Sequence, residues 1–213
     1  MIIPDFGFAG RTMQKNFIKN FMERIIKVAC VGDSITKGMG KKHPQSYPNQ
    51  LGKSLGPRYE VINFGIGSRT VLSKGDFPYI NEKDYKKAKK YSPDILIIML
   101  GTNDTKSFNW QYGSEFEHDF RSIIMDLKSS MSENGRIFFM IPPPIFKEVW
   151  SMSDSILVNE ITPIINQVAQ ENKSMVIDLH QHFLGKNSLF PDGVHPNEEG
   201  LSEIASYVIN FIQ

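Results

Sequence analysis

The sequence predicts a doubly wound α/β fold, in which helices cover both faces of a parallel sheet. The length of 213 residues, with 40% hydrophobic and 22% charged residues, suits one globular domain. Five apolar runs of strand length recur at wide intervals, and most are continuously apolar, as in strands that are buried on both faces. Helical patterns separate these runs, so the chain is expected to form βαβ units.

The predicted strands cover residues 25–31, 59–64, 94–100, 136–141 and 175–178. Between the third and fourth strands, an apolar stripe from Phe116 to Met131 predicts a helix with Ser114 as its N-cap. A stripe over 157–168 contains Pro163, which either kinks one helix or opens a second one. A last stripe over 201–212 predicts a C-terminal helix. The proline run 142–144 follows the fourth strand and predicts a rigid, non-helical connection.

Composition limits the function classes. With 24 basic and 23 acidic side chains, the net charge is +1, which gives no electrostatic case for nucleic acid or an anionic membrane as a partner. The lone Cys30 cannot form an internal disulfide. We find neither a signal-peptide pattern nor an apolar run near the ~20 residues that span a bilayer, so we expect a cytoplasmic protein.

No repeat or linker is evident, so we expect residues 24–213 to form a single domain after an N-terminal extension, residues 1–23.

Ligands of such sheets bind at the carboxyl ends of the strands, so the residues that follow each strand matter most. Ser34 follows the first strand in Gly32-Asp33-Ser34, where a strand-to-helix turn can expose its hydroxyl. Alternatively, Asp33 or Ser34 caps the next helix. After the second strand, Gly65-x-Gly67 permits a tight turn, but Thr70 occupies the third glycine position of a dinucleotide fingerprint, so a cofactor site is disfavoured.

The third and fifth strands are followed by further candidate residues. Asn103 can direct amide donors into the cleft or form an Asx turn. Asp192 and His195 lie three residues apart on a loop, where the carboxylate can hold one imidazole nitrogen and leave the other facing outward. A hydroxyl, amide donors, an acid and a histidine at one sheet edge meet the needs of nucleophilic acyl transfer.

In these residues the chain resembles the GDSL or SGNH hydrolases. The matching blocks, in the order of that family, are Gly32-Asp33-Ser34, Gly101-x-Asn103-Asp104 and Asp192-x-x-His195. The resemblance implies a flavodoxin-like three-layer α/β/α sandwich with a central five-stranded parallel sheet. It implies that Ser34 is the nucleophile, His195 the base and Asp192 the residue that orients the base.

One block departs from the family pattern. The family has a glycine five residues after an asparagine, and counting from Asn63 that place is held by Ser68. The resemblance implies an oxyanion hole of the Ser34 and Ser68 N–H groups and the Asn103 side chain, with Gly67 as the alternative donor to Ser68. For substrate binding we expect four residues: Asp33, Gly67, Arg69 and Trp110. Trp110 either stacks on a sugar or packs in a loop, and Arg69 either meets a substrate carboxylate or forms a surface salt bridge.

Longer stretches are similar to the carbohydrate O-acetylesterases of the family, including sialate O-acetylesterases. We therefore expect hydrolysis of a small-molecule or carbohydrate ester, most of all an acetyl ester, with no metal or organic cofactor. Alternatives are a thioesterase or lysophospholipase acting on longer acyl chains, and a non-catalytic carbohydrate-binding protein. A metallohydrolase is a further alternative, because Asp178, His180 and His182 form a string with metal-ligand character.

Overall fold

The computed structural model describes residues 24–38 and 45–213, and contains a five-stranded parallel sheet. The expected extension, residues 1–23, lies outside the described residues. The strands are β1 (Ile26–Gly32), β2 (Tyr59–Gly65), β3 (Ile95–Met99), β4 (Arg136–Ile141) and β5 (Met175–Asp178). Each of the five strands that the sequence predicts is present, with bounds that agree to within one residue. The predicted fold class is confirmed.

The order of the strands is β2-β1-β3-β4-β5. β1 pairs with β2 on one side and with β3 on the other, and Val31 lies opposite both Phe64 and Ile98. The chain leaves β1 toward one edge of the sheet and, after β2, builds toward the other edge. The loops that follow β1 and β3 therefore diverge, which opens a crevice at their carboxyl ends.

Helices cover both faces of the sheet. The helices are α1 (Ser34–Lys37), α2 (Tyr47–Leu55), α3 (Lys83–Tyr91), α4 (Ser107–Trp110), α5 (Phe116–Lys128), α6 (Asp154–Ile156), α7 (Thr162–Glu171), α8 (Leu179–Phe183) and α9 (Glu198–Ile212). α3, α5 and α7 pack in one buried apolar cluster, and α2, α8 and α9 pack in a second one. β3 is buried at every position and separates the two clusters, which is why its sequence is apolar without alternation.

Two details of the predicted helices are settled by their caps. Ser114 is not the N-cap of α5, because it lies in a 3₁₀ turn, Gly113–Glu115, that leads directly into the helix. Pro163 lies in the first turn of α7, directly after a π-helical segment, Leu157–Ile161. The capping residues around that segment have right-handed helical backbones, so one helical stretch continues through the π segment and the proline. Proline cannot donate a backbone hydrogen bond, and irregular helix geometry is common beside it.

The connection after β4 is irregular until α6 begins at Asp154, as the proline run 142–144 predicts. Within the described ranges, no helix combines the length and the apolarity that a bilayer crossing requires. The cytoplasmic location stays a prediction.

Candidate active site

The turn after β1 places Ser34 at the mouth of the crevice. A Cβ at Gly32 would lie 2.1 Å from Thr36 Oγ1 and 2.6 Å from the Met99 carbonyl oxygen, so only glycine fits here. Asp33 is the N-cap of α1, and its Oδ1 accepts the Ile35 N–H at 2.9 Å. Ser34 is consequently the first residue of that short helix, at the carboxyl end of β1.

Three side chains that are distant in sequence form one hydrogen-bonded chain. Ser34 Oγ lies 2.8 Å from His195 Nε2, and His195 Nδ1 lies 2.7 Å from Asp192 Oδ2. Because an ionised carboxylate only accepts hydrogen bonds, Nδ1 carries the proton and Nε2 is free to accept the Ser34 hydroxyl. The predicted association of Ser34, His195 and Asp192 is therefore present across 161 residues of sequence.

The loop that carries the histidine is shaped by its own backbone. Asp192 Oδ1 accepts the N–H groups of Val194 and His195 at 2.9 and 2.7 Å, which fixes the carboxylate beside the imidazole. Partial burial raises the pKa of Asp192, but these backbone donors and the imidazole outweigh it, so the pKa lies below its usual value. Asp192 is thus ionised at neutral pH. Gly193, at φ +91°, makes the left-handed turn between the two residues.

Three residues that can donate hydrogen bonds, Ser34, Ser68 and Asn103, lie at one cavity. The cavity has a volume of about 450 Å³, and His195 also lines it. Asn103 is 3% exposed and begins a 3₁₀ turn directly after β3. In the turn after β2, Ser68 has the left-handed backbone, at φ +69°, whereas Gly67 does not. Ser68 occupies the conformation that ordinarily favours glycine, and the departure from the family pattern falls on this residue.

Two buried carboxylates lie close to these donors in the chain and in the fold. Asp33 Oδ2 lies 3.4 Å from Asn103 Nδ2, and Asp104 accepts the N–H groups of Val71 and Leu72 at 3.1 and 2.8 Å. Burial raises the pKa of Asp33 to about 6 and that of Asp104 to about 7, against the hydrogen bonds from backbone donors. The expectation that Asp33 binds substrate is wrong, because Asp33 is 0% exposed. It positions Asn103 instead.

Arg69 and Trp110, two expected substrate-binding residues, do not line the cavity. Arg69 donates to Glu82 Oε1 from Nε at 2.9 Å and from a terminal nitrogen at 2.6 Å, so it forms the salt bridge that the sequence left open. Trp110 packs against Phe116, with their ring centroids 5.8 Å apart, and belongs to the edge of the apolar core. Gly67 lies next to Ser34, since a Cβ there would be 3.8 Å from Ser34 Cβ.

Sequence reasoning missed the aromatic part of the cavity. Its remaining lining residues are Lys106, Phe108, Trp150, Ser151 and Met152. Phe108 and Trp150 are 49% and 55% exposed, and the Trp150 ring lies 5.7 Å from that of His195. A usable signal existed, because Trp150 lies on the loop after β4, at the same sheet edge as the other site residues, and strand-end loops carry function.

The candidate metal string does not converge on one point. His180 bonds Asp154 at 3.1 Å, His182 bonds Glu203 at 2.9 Å, and Asp178 caps α8 through the Gln181 N–H. Across residues 24–38 and 45–213, no group of three or more His, Cys, Asp or Glu side chains is arranged to share an ion.

The sequence of this chain is similar to a family model and to two named proteins. Residues 30–201 match a family model described as GDSL-like lipase/acylhydrolase. An acetylxylan esterase of Xylanibacter ruminicola is 40% identical over 205 residues, which cover 87% of this chain and 43% of that protein. A multidomain esterase of Ruminococcus flavefaciens is 26% identical, over 88% of this chain and 28% of its own length. The chain thus spans less than half the length of these two curated relatives.

Solved structures share the fold. The carbohydrate acetylesterase Est24 from Sinorhizobium meliloti superposes with a TM-score of 0.71 at 18% identity, over 88% of this chain and 98% of its own. The acetyl xylan esterase AlAXEase gives a TM-score of 0.70 at 23% identity, over 88% of this chain and 100% of its own. At these identities the likeness establishes the arrangement of strands and helices.

Proposed function

The chain belongs to the GDSL-like lipase/acylhydrolase family, and from this premise we propose that it is a serine esterase that releases short acyl groups, above all acetyl, from carbohydrate esters. The single observation that carries the proposal is the hydrogen-bonded chain of Ser34, His195 and Asp192, with links of 2.8 and 2.7 Å. This arrangement supplies a nucleophile, a base and a group that orients the base.

In the first half-reaction, Ser34 Oγ attacks the ester carbonyl carbon while His195 Nε2 takes its proton. The carbonyl π electrons move onto oxygen, which becomes an oxyanion. His195 becomes an imidazolium ion, which ionised Asp192 stabilises through the Nδ1 hydrogen bond. The oxyanion then re-forms the carbonyl, the bond to the alcohol oxygen breaks, and His195 protonates that oxygen as it leaves.

The developing oxyanion needs donors that are in place before the reaction. We assign this role to the N–H groups of Ser34 and Ser68 and to the Asn103 side chain, which line the same cavity. Asn103 is buried, and Asp33 lies within reach of its amide nitrogen, so this donor needs little reorganisation. Losing one such donor typically costs about 10²–10³ in turnover.

In the second half-reaction, water replaces the alcohol beside His195. Nε2 takes a proton from the water as its oxygen attacks the acyl carbon of the Ser34 ester. Collapse of this second tetrahedral intermediate breaks the bond to Ser34 Oγ, which receives the proton back from His195. The products are a carboxylic acid and free enzyme, and every step uses only protein groups and water.

The choice of a carbohydrate acetyl ester draws on the relatives. Two named relatives, an acetylxylan esterase and an acetyl xylan esterase of known structure, act on such esters by their names. A series of p-nitrophenyl esters of increasing acyl length tests this choice, because short and long acyl pockets differ in apolar volume. We expect kcat/KM to be highest for acetate. A maximum at long chains would favour a lysophospholipase or thioesterase instead.

The catalytic assignment is tested with purified protein. We expect hydrolysis of p-nitrophenyl acetate and labelling of Ser34 by a fluorophosphonate, and we expect Ser34→Ala and His195→Ala to abolish both. Matched controls are Ser206→Ala, an exposed serine on α9, and His182→Ala, a histidine whose carboxylate partner is Glu203. Full activity of Ser34→Ala would refute the assignment, and loss of that activity on adding a chelator would favour the metallohydrolase. Sugar binding without turnover by the wild type would favour a non-catalytic protein.

A further inference from the structure

Two large aromatic side chains that line the cavity are about half exposed to solvent. Phe108 and Trp150 are 49% and 55% exposed, and both line the cavity that contains Ser34 and His195. Aromatic faces are costly to leave in water, yet they provide a flat apolar surface with a fixed position. Such a surface matches the C–H-rich face of a sugar ring.

The rim that these two residues form is held in a defined shape. The Ser107 N–H donates to the Ser151 carbonyl oxygen at 3.0 Å, which joins the two segments that carry Phe108 and Trp150. The Ser153 N–H donates to Thr105 Oγ1 at 3.2 Å. Trp150 and Ser151 both have left-handed backbones, at φ +51° and +58°. Left-handed φ at a bulky residue is strained, and such strain clusters where ligands are held.

The position of Trp150 identifies the half of the ester that it faces. Its ring lies 5.7 Å from the His195 ring, with an interplanar angle of 60°. In the proposed mechanism His195 protonates the departing alcohol, so that alcohol must sit beside the imidazole. Trp150 is therefore close to the place where the alcohol half of the substrate must lie.

The charges around the cavity are already paired. Lys106 is 7% exposed, lines the cavity, and donates from Nζ to Asp76 Oδ2 at 3.0 Å. Asp76 is held in turn by Asn109, whose Nδ2 donates to Asp76 Oδ1 at 3.0 Å. Arg69 is bound to Glu82 outside the cavity lining. Within the part of the chain that the structure describes, no lysine or arginine that lines this cavity lacks an anionic partner, so a substrate carboxylate would add an uncompensated negative charge.

We propose that Phe108, Trp150 and the Lys106–Asp76 pair form the subsite for the alcohol half, and that this subsite takes an uncharged sugar ring rather than a sugar acid. The sugar face lies against the aromatic rim. The Lys106 ammonium has three N–H donors, and those not used by Asp76 serve the sugar hydroxyls. The inference rests on the proposed function, and it differs from the sialate-type substrate that the sequence resemblance implies.

The aromatic half of the subsite is tested by a ratio of two substrates. We compare kcat/KM for a mono-O-acetylated methyl β-xyloside with kcat/KM for ethyl acetate, which lacks a ring. We expect Trp150→Ala and Phe108→Ala each to lower this ratio by about tenfold, the loss of one good aromatic contact. Trp150→Phe should restore most of it. The matched control is Phe77→Ala, since Phe77 is 50% exposed but does not line the cavity.

The polar half is tested with the charge of the substrate. Wild-type protein should hydrolyse the acetyl xyloside faster than 9-O-acetyl-N-acetylneuraminic acid. Asp76→Asn removes the anion that pairs with Lys106 and should raise relative turnover of the anionic ester several-fold. Asp84→Asn, which changes the net charge equally at an exposed pair with Lys87, should not raise it.

The outcomes separate the two proposals. Ratios that do not change in Trp150→Ala and Phe108→Ala, or a wild-type preference for the anionic ester, would overturn the subsite and leave the esterase intact. An enzyme that hydrolyses neither ethyl acetate nor the xyloside, and in which fluorophosphonate fails to label Ser34, would overturn both proposals.

Discussion

Among the described residues three histidines are bonded to carboxylates, and the surroundings of two of them, His195 and His182, differ. His195 uses Nδ1 to bond Asp192 and points Nε2 at Ser34 Oγ. His182 uses Nε2 to bond Glu203, which also receives Lys186, and its ring stacks on Tyr207 at 3.9 Å. One imidazole therefore faces a hydroxyl in a cavity, whereas the other has a face covered by an aromatic ring.

The difference follows from where the acid lies in the chain. Asp192 is three residues before His195 on the same loop. Its Oδ1 accepts the backbone N–H groups of Val194 and His195. Its other oxygen, Oδ2, therefore meets His195 Nδ1, the ring nitrogen nearer the backbone. Glu203 approaches from α9 and meets Nε2, the distal nitrogen. An acid close in sequence thus leaves the distal nitrogen free for chemistry, and a remote acid occupies it.

The largest predicted effect tests this comparison directly. Asp192→Asn should lower kcat by about 10⁴, because an amide Nδ2 donates to imidazole Nδ1 and forces the proton onto Nε2, which then cannot accept from Ser34. Glu203→Gln makes the same chemical change at His182 and should leave kcat unchanged. Hydrolysis of p-nitrophenyl acetate measures both, with thermal unfolding as the check on folding. Equal losses in the two variants would remove the distinction between the pairs.

The next effect tests whether the surroundings of His195 matter as much as its partner. Asn103→Ala should lower kcat by about 10²–10³ through loss of an oxyanion donor, with KM little changed. Asn172→Ala is the control, since Asn172 is a half-buried asparagine that contacts the Val168 carbonyl oxygen and Lys128 and does not line the cavity. A rise in KM at constant kcat for Asn103→Ala would instead assign Asn103 to ground-state binding.

A third prediction concerns Asp104, a carboxylate whose pKa shifts in the opposite direction to that of Asp192. Asp192 has a lowered pKa, whereas burial raises that of Asp104 to about 7. Between about pH 4 and 7 the folded state therefore holds the Asp104 proton more tightly than the unfolded chain does, so this group makes stability fall as pH rises. Relative to Asp104→Asn, wild-type protein should lose on the order of 2–3 kcal/mol of unfolding free energy between pH 5 and 8.

Urea denaturation at the two pH values measures this difference. A wild-type-to-variant difference that stays constant would show that Asp104 keeps an ordinary pKa in the folded protein. Asp104 also holds the Val71 and Leu72 N–H groups on the segment that follows Ser68. Any effect of Asp104→Asn on kcat is therefore measured separately from its effect on stability.

The fold was predictable because its strands are encoded locally. β3 is five consecutive apolar residues, buried at every position, and such a run indicates a strand in a parallel sheet. Helix ends were harder to predict. Ser114 has the chemistry of an N-cap, but a 3₁₀ turn already leads into α5, so no separate capping residue is needed.

For the site, sequence reasoning found the residues with distinctive chemistry and missed those selected by position. Ser34, Asn103 and His195 were identified because their side chains suit acyl transfer. Trp150 was missed and Trp110 was selected in its place, because an aromatic side chain looks alike in a loop whether it packs inward or outward. Only packing separates them, since Trp110 contacts Phe116 and Trp150 contacts His195.

The smallest predicted effect tests which group of Ser68 is the second oxyanion donor. Ser68 and Ser92 both have a left-handed backbone, at φ +69° and +51°. Of these two serines, only Ser68 lines the cavity. Ser68→Gly and Ser92→Gly should each relieve backbone strain of about 1 kcal/mol, partly offset by the greater entropy of glycine in the unfolded chain. Both variants should therefore unfold at similar or slightly higher temperature than wild type. If the Ser68 backbone N–H is the oxyanion donor, Ser68→Gly keeps it and retains kcat, as Ser92→Gly does. A fall in kcat confined to Ser68→Gly, comparable to that of Asn103→Ala, would transfer the donor role to the Ser68 hydroxyl, because the side chain is the only group that this substitution removes.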